Sequence, residues 1–580
     1  MHAVLHTIKI IFQKHKYLSI ILLLINISLG ILPLISVYFV QSIINNIVRN
    51  GSFAFVSFLF LLYILVSILS SILSSFQSYI NGKISNYLSL EMEYEVLNKV
   101  STLSLSEFEN EKTYSEIDKL TNEAPSKPYE VFSSLNTMLI SFVTLISGYI
   151  YIFNFNKLFA LLLFIITCIS TPYLLYMGKE QFTVHWDRTE SERKNWYIKY
   201  IMTHDFSVKE IIFYNLQNDL KEKFVKLKKS FIKQDLHLLK KYSLFSFIYD
   251  LGTTIISGFL ILGTIKSIIV GKALIGTLTS ITQIISLTEE HTRTLISSLY
   301  TMRYNLMLLQ KLYDFIGTPS DNQVSENSKL FLENVNTISV RNLSFSYGTK
   351  PVLYNLNFEL HRGMLVALVG TNGSGKSTLV KLLSGLYSTN NSDEILINGI
   401  DISKYDKSTL HNKISILFQD YVKYEMSLRE NIGFGNLSDI NDDLKLENVI
   451  KKYANSLPKD IKLDDQLGNW FSDGKQLSGG QWQSIATSRA FFNNKTDFVI
   501  LDEPNSALDS LAEKKLFTEF KKFVSKSKLG LFVSHRIGAI KQADLIIVLD
   551  HGHLIATGTH EQLIKNCKVY QELERAEKYE

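Results

Sequence analysis

The segment GTNGSGKST at residues 370–378 has the residue types of a phosphate-binding loop. It follows a short apolar run at 364–370 and precedes a helical run that begins LVKLLSGL. Glycines let the backbone wrap closely around a phosphate, and N–H groups at a helix start favour negative charge. The pattern in this strand–loop–helix context predicts a nucleotide phosphate site. The residues assigned to it are Gly370, Thr371, Asn372, Gly373, Ser374, Gly375, Lys376, Ser377 and Thr378.

Two side chains of this loop are suited to act on the phosphates themselves. Lys376 can reach the β- and γ-phosphates, and the hydroxyl of Ser377 can bind Mg²⁺. The alternative is a glycine-rich turn that only precedes a helix. Average composition makes a chance match in a chain of this length an event on the order of once in fifty. The strand-like run before the loop lowers that chance further.

Two further apolar runs end in residues that can work on a phosphate. FVILDEP (498–504) ends in two carboxylates, of which Asp502 can hold Mg²⁺ and Glu503 can orient and deprotonate an attacking water. LGLFVSH (529–535) places His535 at another strand end, where it can donate a hydrogen bond to transition-state oxygens. The alternatives are a solvated acidic strand end and a structural histidine. The phosphate loop favours the catalytic interpretation.

The elements that carry these residues belong to the second of two unlike parts of the chain. The 580 residues are 46% hydrophobic and 20% charged, and the long apolar runs fall before residue 300. Each of six such runs is long enough to cross ~30 Å of hydrocarbon at ~1.5 Å per residue. They are residues 17–40, 53–76, 131–153, 158–176, 245–268 and 274–299. The first is too long for a signal peptide and predicts a retained transmembrane helix.

The links between these runs alternate in length and in charge. The long links, about 77–130 and 177–244, and the N-terminus carry more basic residues than the short ones. This bias predicts both termini and the long links in the cytoplasm. About 50 residues per long link would make two helices of roughly 35 Å, which continue the membrane helices and turn there. Solvated helical linkers are the alternative.

After the polar segment GTPSDNQVSENSK (317–329), strand-like and helix-like runs alternate. This order predicts a parallel α/β domain. The predicted domains are a six-helix transmembrane domain at 1–316, a linker at 317–337 and an α/β phosphate-loop domain at 338–580. The net charge of +5 implies no nucleic-acid partner by itself. The two cysteines, Cys168 and Cys567, lie far apart and suggest no disulfide framework.

With these motifs in order, the chain resembles the ATP-binding cassette exporters that fuse six membrane helices ahead of one nucleotide domain. The resemblance implies ATP and Mg²⁺ as ligands. It makes Tyr347 in FSYG the aromatic that stacks on adenine, and Gln419 in ILFQD the glutamine that senses Mg²⁺. LSGGQ at 477–481 matches the family signature, and SALD at 506–509, which contains Asp509, matches the D-loop. His535 matches the switch histidine.

The resemblance also explains why the signature lacks a lysine. In this family two nucleotide domains pair head to tail, and each ATP lies between the phosphate loop of one and the signature of the other. Ser478, Gly479, Gly480 and Gln481 then meet a nucleotide held by a second chain. Lys376, Glu503, Ser478 and His535 are all present, which favours a homodimer with two active sites. Asn505 replaces the usual threonine, and Trp482 and Ser484 replace basic residues.

The cargo is inferred from two tryptophans. LGNWF at 467–471 and LSGGQWQ at 477–483 resemble the exporters of lantibiotics and related ribosomal peptides, with Trp470 and Trp482 as the distinctive residues. Packing aromatics that drifted are the alternative interpretation. The alternative functions are export of a lipid or hydrophobic drug, and an immunity or signalling ATPase without vectorial transport. The short N-terminal segment predicts no peptidase domain. The expected location is the cytoplasmic membrane.

Two regions of the membrane domain have open roles. Residues 107–119 and 205–215 resemble the coupling helices of such exporters. Glu289, Glu290, His291 and Arg293 interrupt the sixth apolar run. Ionisable groups at such depth usually face protein or water. They can meet a charged peptide, or they can mark where the helix leaves the bilayer.

Overall fold

The computed structural model describes residues 2–319, 330–504, 510–524 and 528–578. The chain divides into two compact units. The first comprises Met1–Leu103 and Glu107–Ser320, and the second comprises Ser104–Ser106 and Asp321–Glu580.

The first unit is helical. Its six long helices are α1 (His2–Val48), α2 (Phe53–Ser101), α5 (Lys127–Phe155), α6 (Lys157–Asp187), α9 (Gln217–Ile269) and α10 (Ile275–Gly317). Four shorter helices occupy the long links: α3 (Leu105–Glu109), α4 (Glu111–Glu123), α7 (Thr189–Thr203) and α8 (Asp205–Phe213). The helical character predicted for those links is therefore confirmed, and each link also contains two short helices.

Within the residues that the structure describes, five helices are long and apolar enough to cross a membrane, namely α1 from Lys16, α2, α5, α6 and α9. In the most apolar window of α2 only 6% of residues are buried. Such a face needs hydrocarbon around it. α10 does not meet the same criterion, so the number of six spans stays a prediction. The reason is its composition, because charged residues such as Glu289, Glu290 and Arg293 lie within its apolar run.

α2 has 49 residues and α9 has 53. At ~1.5 Å per residue each helix is roughly 75–80 Å long, more than twice the ~30 Å hydrocarbon core. Both helices therefore extend far beyond a bilayer, as the length of the long links predicted.

Small and polar residues bring the helices of this unit together. A Cβ added to Gly148 of α5 would lie 2.6 Å from Cγ2 of Thr288 in α10, so only glycine permits this approach. Thr144 of α5 donates a hydrogen bond of 2.9 Å to the carbonyl of Gly30 in α1. Helices in lipid associate through such close packing and hydrogen bonds, since burial of apolar surface gives no advantage there.

The second unit is an α/β domain. Its strands are β1 (Thr337–Tyr347), β2 (Lys350–His361), β3 (Leu365–Gly370), β4 (Ile395–Ile397), β5 (Ile400–Asp401), β6 (Ile414–Leu417), β7 (Phe498–Asp502), β8 (Leu529–Val533), β9 (Leu545–Asp550) and β10 (His553–Gly558). Its helices are α11 (Lys376–Leu383), α12 (Lys407–Lys413), α13 (Leu428–Gly433), α14 (Asp443–Tyr453), α15 (Gly479–Phe492), α16 (Ser510–Val524), α17 (Ile537–Ile540), α18 (His560–Asn566) and α19 (Lys568–Lys578).

The strands described form one sheet in the order β5-β4-β1-β2-β10-β9-β3-β8-β7-β6. The part β9-β3-β8-β7-β6 is parallel, as predicted. The part β5-β4-β1-β2 is antiparallel, so the expectation of a parallel domain was incomplete. The cause is local, because only two residues, Gly348 and Thr349, join β1 to β2. A link that short forms a hairpin, and the positive φ of Gly348 (56°) suits it.

Candidate functional site

Three neighbouring strands deliver the predicted phosphate-site residues to one edge of the sheet. In the parallel register, Leu368 of β3 lies opposite Val533 of β8, and Val533 lies opposite Asp502 of β7. The carboxyl ends of β3, β8 and β7 therefore lie at the same edge of the sheet. Ligands of open α/β sheets bind at this carboxyl edge.

The backbone of the loop needs glycine at two of its positions. A Cβ at Gly370 would lie 2.1 Å from the carbonyl oxygen of Leu549, in the adjacent strand β9. Gly375 has a φ of 96°, and a Cβ there would lie 2.5 Å from Cδ2 of Leu353. Any other residue would displace backbone or core. The loop is thus held in one shape by its neighbours.

Lys376 folds back over this loop. Its Nζ donates hydrogen bonds of 2.9 Å to the carbonyl of Gly370 and 3.0 Å to that of Thr371. Burial lowers the pKa of Lys376, whereas the charges of Glu503 and Asp502 raise it. The ammonium is therefore a poorly solvated cation at the centre of the loop. An anionic ligand would stabilise this positive charge, which water no longer solvates.

Asp502 and Ser377 form the oxygen pair expected to hold Mg²⁺. Asp502 is 5% exposed, and the Ser377 hydroxyl interacts with its carboxylate. Burial and the charge of Glu503 raise the pKa of Asp502 to about 6. A desolvated carboxylate beside a hydroxyl is a donor set that Mg²⁺ prefers. The buried hydroxyl oxygen of Ser374 has no hydrogen-bond partner in the described chain, which suits a further ligand in the same loop.

Glu503 occupies a strained backbone position. Its φ of 45° lies in the left-handed region, which is uncommon for a residue with a side chain. Its N–H donates to the carbonyl of Val533 at 3.2 Å, which ties β7 to β8 at this point. Strain of this kind costs on the order of 1–3 kcal/mol and clusters at functional sites. Here it turns the carboxylate away from the line of the strand.

The Glu503 carboxylate lies between two predicted site residues. Gln419 donates from Nε2 to one carboxylate oxygen at 2.7 Å. Nε2 of His535 lies 3.4 Å from the other oxygen. Both Gln419 and His535 are exposed at this edge of the sheet. The site therefore presents a carboxylate, an amide and an imidazole around one point where a water can be held.

Tyr347 lies next to the helix that follows the phosphate loop. Its hydroxyl is 3.3 Å from Oγ1 of Thr378, and its ring packs edge-on against Phe345 and Tyr387. The ring is half-buried, so part of it remains accessible. This position is compatible with the predicted adenine contact, which stays a prediction.

Two residues at this edge were missed by the sequence reasoning. Asp550 accepts a hydrogen bond of 2.9 Å from Thr371 of the loop. It ends the apolar strand LIIVLD, the same signal that identified Asp502. Gln483 of α15 is buried and donates at 2.7 Å to the carbonyl of Pro504, directly after Glu503. Nothing in the local sequence identified that contact.

The signature segment forms the start of α15. Ser478 is the N-cap: its hydroxyl accepts from the Gln481 N–H at 3.3 Å, and its own N–H donates to Oε1 of Gln481 at 2.8 Å. This reciprocal capping box starts the helix at Gly479. Gly479 and Gly480 form the first turn, where N–H groups lack helical partners. The segment can therefore bind an anion without a lysine.

The signature does not join its own phosphate loop in the described residues. Ser478 hydrogen-bonds to Gln481, and the two glycines follow it into a helix that packs beside the edge strand β6. β6 lies three strands from β3, which is roughly 14 Å at ~4.8 Å per strand. Asp509 and Asn505 lie outside the described residues. Around the phosphate loop the structure gathers Lys376, Ser377, Asp502, Glu503, Gln419 and His535.

The two tryptophans near the signature differ. Trp482 is 6% exposed and packs in a core with residues such as Leu428, Ile432 and Leu446. Trp470 is 56% exposed, and Phe471 beside it is 59% exposed. Trp482 thus has a packing role in the helices around the signature. The exposed pair has no such role within its own unit.

The fold and this site define a phosphate-loop ATPase attached to a helical membrane domain. The ABC transporter model matches residues 353–506, and the model of the ABC transporter transmembrane region matches residues 19–289. The chain belongs to the ABC transporters, with the membrane region fused ahead of the ATPase.

Relatives and a solved structure agree with this assignment. The chain is 40% identical to the subtilin transport ATP-binding protein SpaT of Bacillus subtilis, over 99% of this chain and 94% of that protein. It is 37% identical to the nisin transport ATP-binding protein NisT of Lactococcus lactis, over 99% and 96%. An ATP-dependent lipid A-core flippase of Alcanivorax borkumensis is 36% identical over 41% of this chain and 40% of its own length. A bacterial Atm1-family ABC exporter with ATP bound shares the fold, with a TM-score of 0.82, 19% identity and coverage of 97% and 99%.

The chain is therefore an ATPase-coupled exporter and a multi-pass protein of the cytoplasmic membrane, with its ATPase domain in the cytoplasm. The predicted fold class, a helical membrane domain followed by an α/β phosphate-loop ATPase, is confirmed.

Proposed function

We propose that this chain exports a peptide of the lantibiotic or related ribosomal class across the cytoplasmic membrane. The observation that carries this proposal is the similarity along the whole chain to two proteins named for transport of subtilin and nisin. The likeness to a lipid A-core flippase covers 41% of the chain, no more than one domain. Cargo is met by the membrane domain, so a match along that domain supports the peptide more strongly.

We further propose that two copies of the chain form the working transporter. The N–H groups and hydroxyl of Ser478–Gln481 suit an anion, yet no hydrogen bond joins them to their own phosphate loop within the described residues. A second copy placed head to tail completes both sites at once, because a two-fold axis makes the two contacts equivalent. Each ATP then lies between Lys376 of one chain and Ser478 of the other.

We assign the roles in ATP hydrolysis to residues around the phosphate loop. Lys376 holds the β- and γ-phosphates, while Ser377, Asp502 and Gln419 would hold Mg²⁺. The bound ion would neutralise phosphate charge. Glu503 accepts a proton from the attacking water and orients it. His535 donates a hydrogen bond to the γ-phosphate oxygens as their charge grows.

The role of Glu503 is tested by Glu503→Gln. The amide keeps the shape and the contact with Gln419 but cannot accept a proton, so ATP binding should persist and turnover should fall by about 10²–10⁴. ATP binding is measured by a fluorescent analogue and hydrolysis by phosphate release. Glu447→Gln, at an exposed carboxylate of α14, is the control and should hydrolyse normally. Near-normal turnover in Glu503→Gln would contradict the assignment.

A further inference from the structure

Three helices of the first unit border an open groove that the ATPase site does not use. α4, α7 and α9 form the walls of this groove, which has a volume of about 710 Å³ and is mostly apolar. Cavities that hold small ligands or side chains span roughly 300–1,000 Å³. The groove is therefore large enough for a few side chains of a peptide.

Three exposed aromatic side chains form much of the wall. Tyr114 of α4 is 48% exposed, and Trp196 and Tyr197 of α7 are 53% and 55% exposed. Trp196 stacks on Tyr200 one turn away, with ring centroids 5.0 Å apart. Aromatic rings offer large contact area at small cost in conformational entropy. Such a concentration of them in solvent marks a binding surface.

The rest of the groove is basic. Arg193 and Lys194 of α7 and Lys223 and Lys226 of α9 line it, and no carboxylate of the described residues does. The Arg193 guanidinium lies 5.6 Å from the centre of the Tyr114 ring, so a cation and an aromatic face already combine. The basic and aromatic side chains together favour a ligand that is an anion and also carries an apolar group.

Two lysines of the groove have partners at the rim. Lys194 pairs with Glu190, and Lys223 pairs with Asp219 at 2.7 Å. Exposed pairs of this kind contribute only about 0–1 kcal/mol, so a ligand can replace either partner. Lys226 forms no ion pair with any described residue and is exposed. It is therefore the cation most directly available to a ligand.

The position of the groove excludes a bilayer lipid as its occupant. α9 is one continuous helix, and its apolar part begins near Phe245. About 19 residues at ~1.5 Å each place Lys226 roughly 28 Å along the helix from that point. Headgroups of a flat membrane end well before this distance. The occupant must come from the aqueous phase on the side of the basic links, which is the cytoplasm.

We propose that this groove binds an acidic segment of the peptide cargo on the cytoplasmic side, before the cargo enters the membrane domain. The proposal rests on peptide export as the function of the chain. A carboxylate of the segment pairs with Lys226, and a neighbouring leucine or phenylalanine side chain packs on Trp196 and Tyr197. The groove thereby selects cargo by an acidic stretch that carries large apolar residues.

Binding to the full-length protein in lipid nanodiscs tests the groove. The probe is a fluorescent synthetic peptide in which aspartate alternates with leucine and phenylalanine, and anisotropy reports its affinity. Lys226→Glu should weaken binding at least tenfold. Lys228→Glu makes the same charge change at an exposed site of α9 outside the groove and should stay within twofold. Basal ATP hydrolysis should match that of the unaltered protein in both variants, which shows that they are folded.

A second variant and a second peptide test the contact between apolar side chains of the peptide and the aromatic wall of the groove. Trp196→Ser should also weaken binding about tenfold, and a peptide with serine in place of leucine and phenylalanine should bind the unaltered protein equally poorly. A peptide with lysine in place of aspartate should not bind. Equal affinities for Lys226→Glu and Lys228→Glu would overturn the proposal, as would competition by short-chain phosphatidylglycerol but not by unlabelled peptide.

Export and binding can fail separately. If vesicles of the unaltered protein accumulate no peptide while the probe still binds in a Lys226-dependent way, peptide export is wrong and the acidic-peptide site stands. If peptide is exported and Lys226→Glu changes neither binding nor export, the groove proposal alone is wrong.

Discussion

Asp502 and Glu503 are neighbours in sequence but have different surroundings. Asp502 ends a fully buried strand and is 5% exposed, whereas Glu503 is half-buried and faces Gln419 and His535. Burial removes water from the Asp502 carboxylate, and a bound cation would stabilise its charge. The Glu503 carboxylate has space for water and two polar neighbours. The two adjacent carboxylates therefore suit different roles: Asp502 suits metal binding, and Glu503 suits proton transfer.

The desolvation of Asp502 gives a prediction about stability. Its pKa of about 6 lies above the usual 3.8, so the native state retains a proton that the unfolded state has lost. The stability from this proton is present below the unfolded pKa and is lost as pH rises through about 6. At neutral pH the cost is about 3 kcal/mol. Asp502→Asn should therefore raise the melting temperature of the protein without Mg²⁺ at about pH 7.5.

The test is thermal unfolding of the full-length protein in a metal chelator. The gain of Asp502→Asn over the unaltered protein should shrink as the pH falls to about 5, because Asp502 is then protonated. Asp544→Asn is unsuitable as a control since that carboxylate accepts a backbone hydrogen bond; Asp473→Asn, at an exposed loop residue, is suitable. A gain that is the same at both pH values would show that burial of the charge is not the cause.

At the scale of single elements, α15 combines a capping box with one of the cores of the ATPase domain. Ser478 and Gln481 start the helix, and Trp482 directly after them fills the core around Leu428 and Leu446. The indole therefore positions the signature rather than the nucleotide. The packing of Trp482 gives a physical role to a residue that the sequence identified only by resemblance.

Trp482→Ala should lower the stability of the ATPase domain by about 3–5 kcal/mol, because a large buried ring leaves a cavity. Trp470→Ala removes the same side chain from an exposed site and should change stability by less than about 0.5 kcal/mol. Circular dichroism during thermal unfolding measures both without relying on tryptophan fluorescence. Similar losses in the two variants would contradict the contrast in burial.

The elements also show what the sequence could predict. β3, β7 and β8 are buried along their whole length, so continuous apolar runs identified them and the site at their ends. In β2 only Leu353, Leu356 and Leu360 are buried, so the strand lacks such a run and the antiparallel part of the sheet was missed. α10 has charged residues within its apolar run, which hydropathy counts against a membrane span. The contact of Gln483 with Pro504 depends on tertiary structure alone.

At the scale of the whole molecule, the proposed dimer makes each ATP site depend on two chains. Mixing two inactive variants tests this dependence. Lys376→Ala and Ser478→Arg should each abolish hydrolysis in pure form. In a mixed dimer one site receives both changes and the other receives neither, so equal co-expression should restore about a quarter of normal activity. A mixture as inactive as its components would contradict sites shared between chains.

Transport into inside-out vesicles tests directly whether hydrolysis moves a peptide across the membrane. The vesicles are given Mg²⁺ and ATP with fluorescent precursors of subtilin or nisin, or with a fluorescent lipid in parallel. Peptide export by this chain predicts ATP-dependent accumulation of a peptide in vesicles with the unaltered chain, and none with Glu503→Gln or Lys376→Ala. Peptide-independent hydrolysis with no accumulation, or ATP-driven movement of the lipid alone, would contradict it.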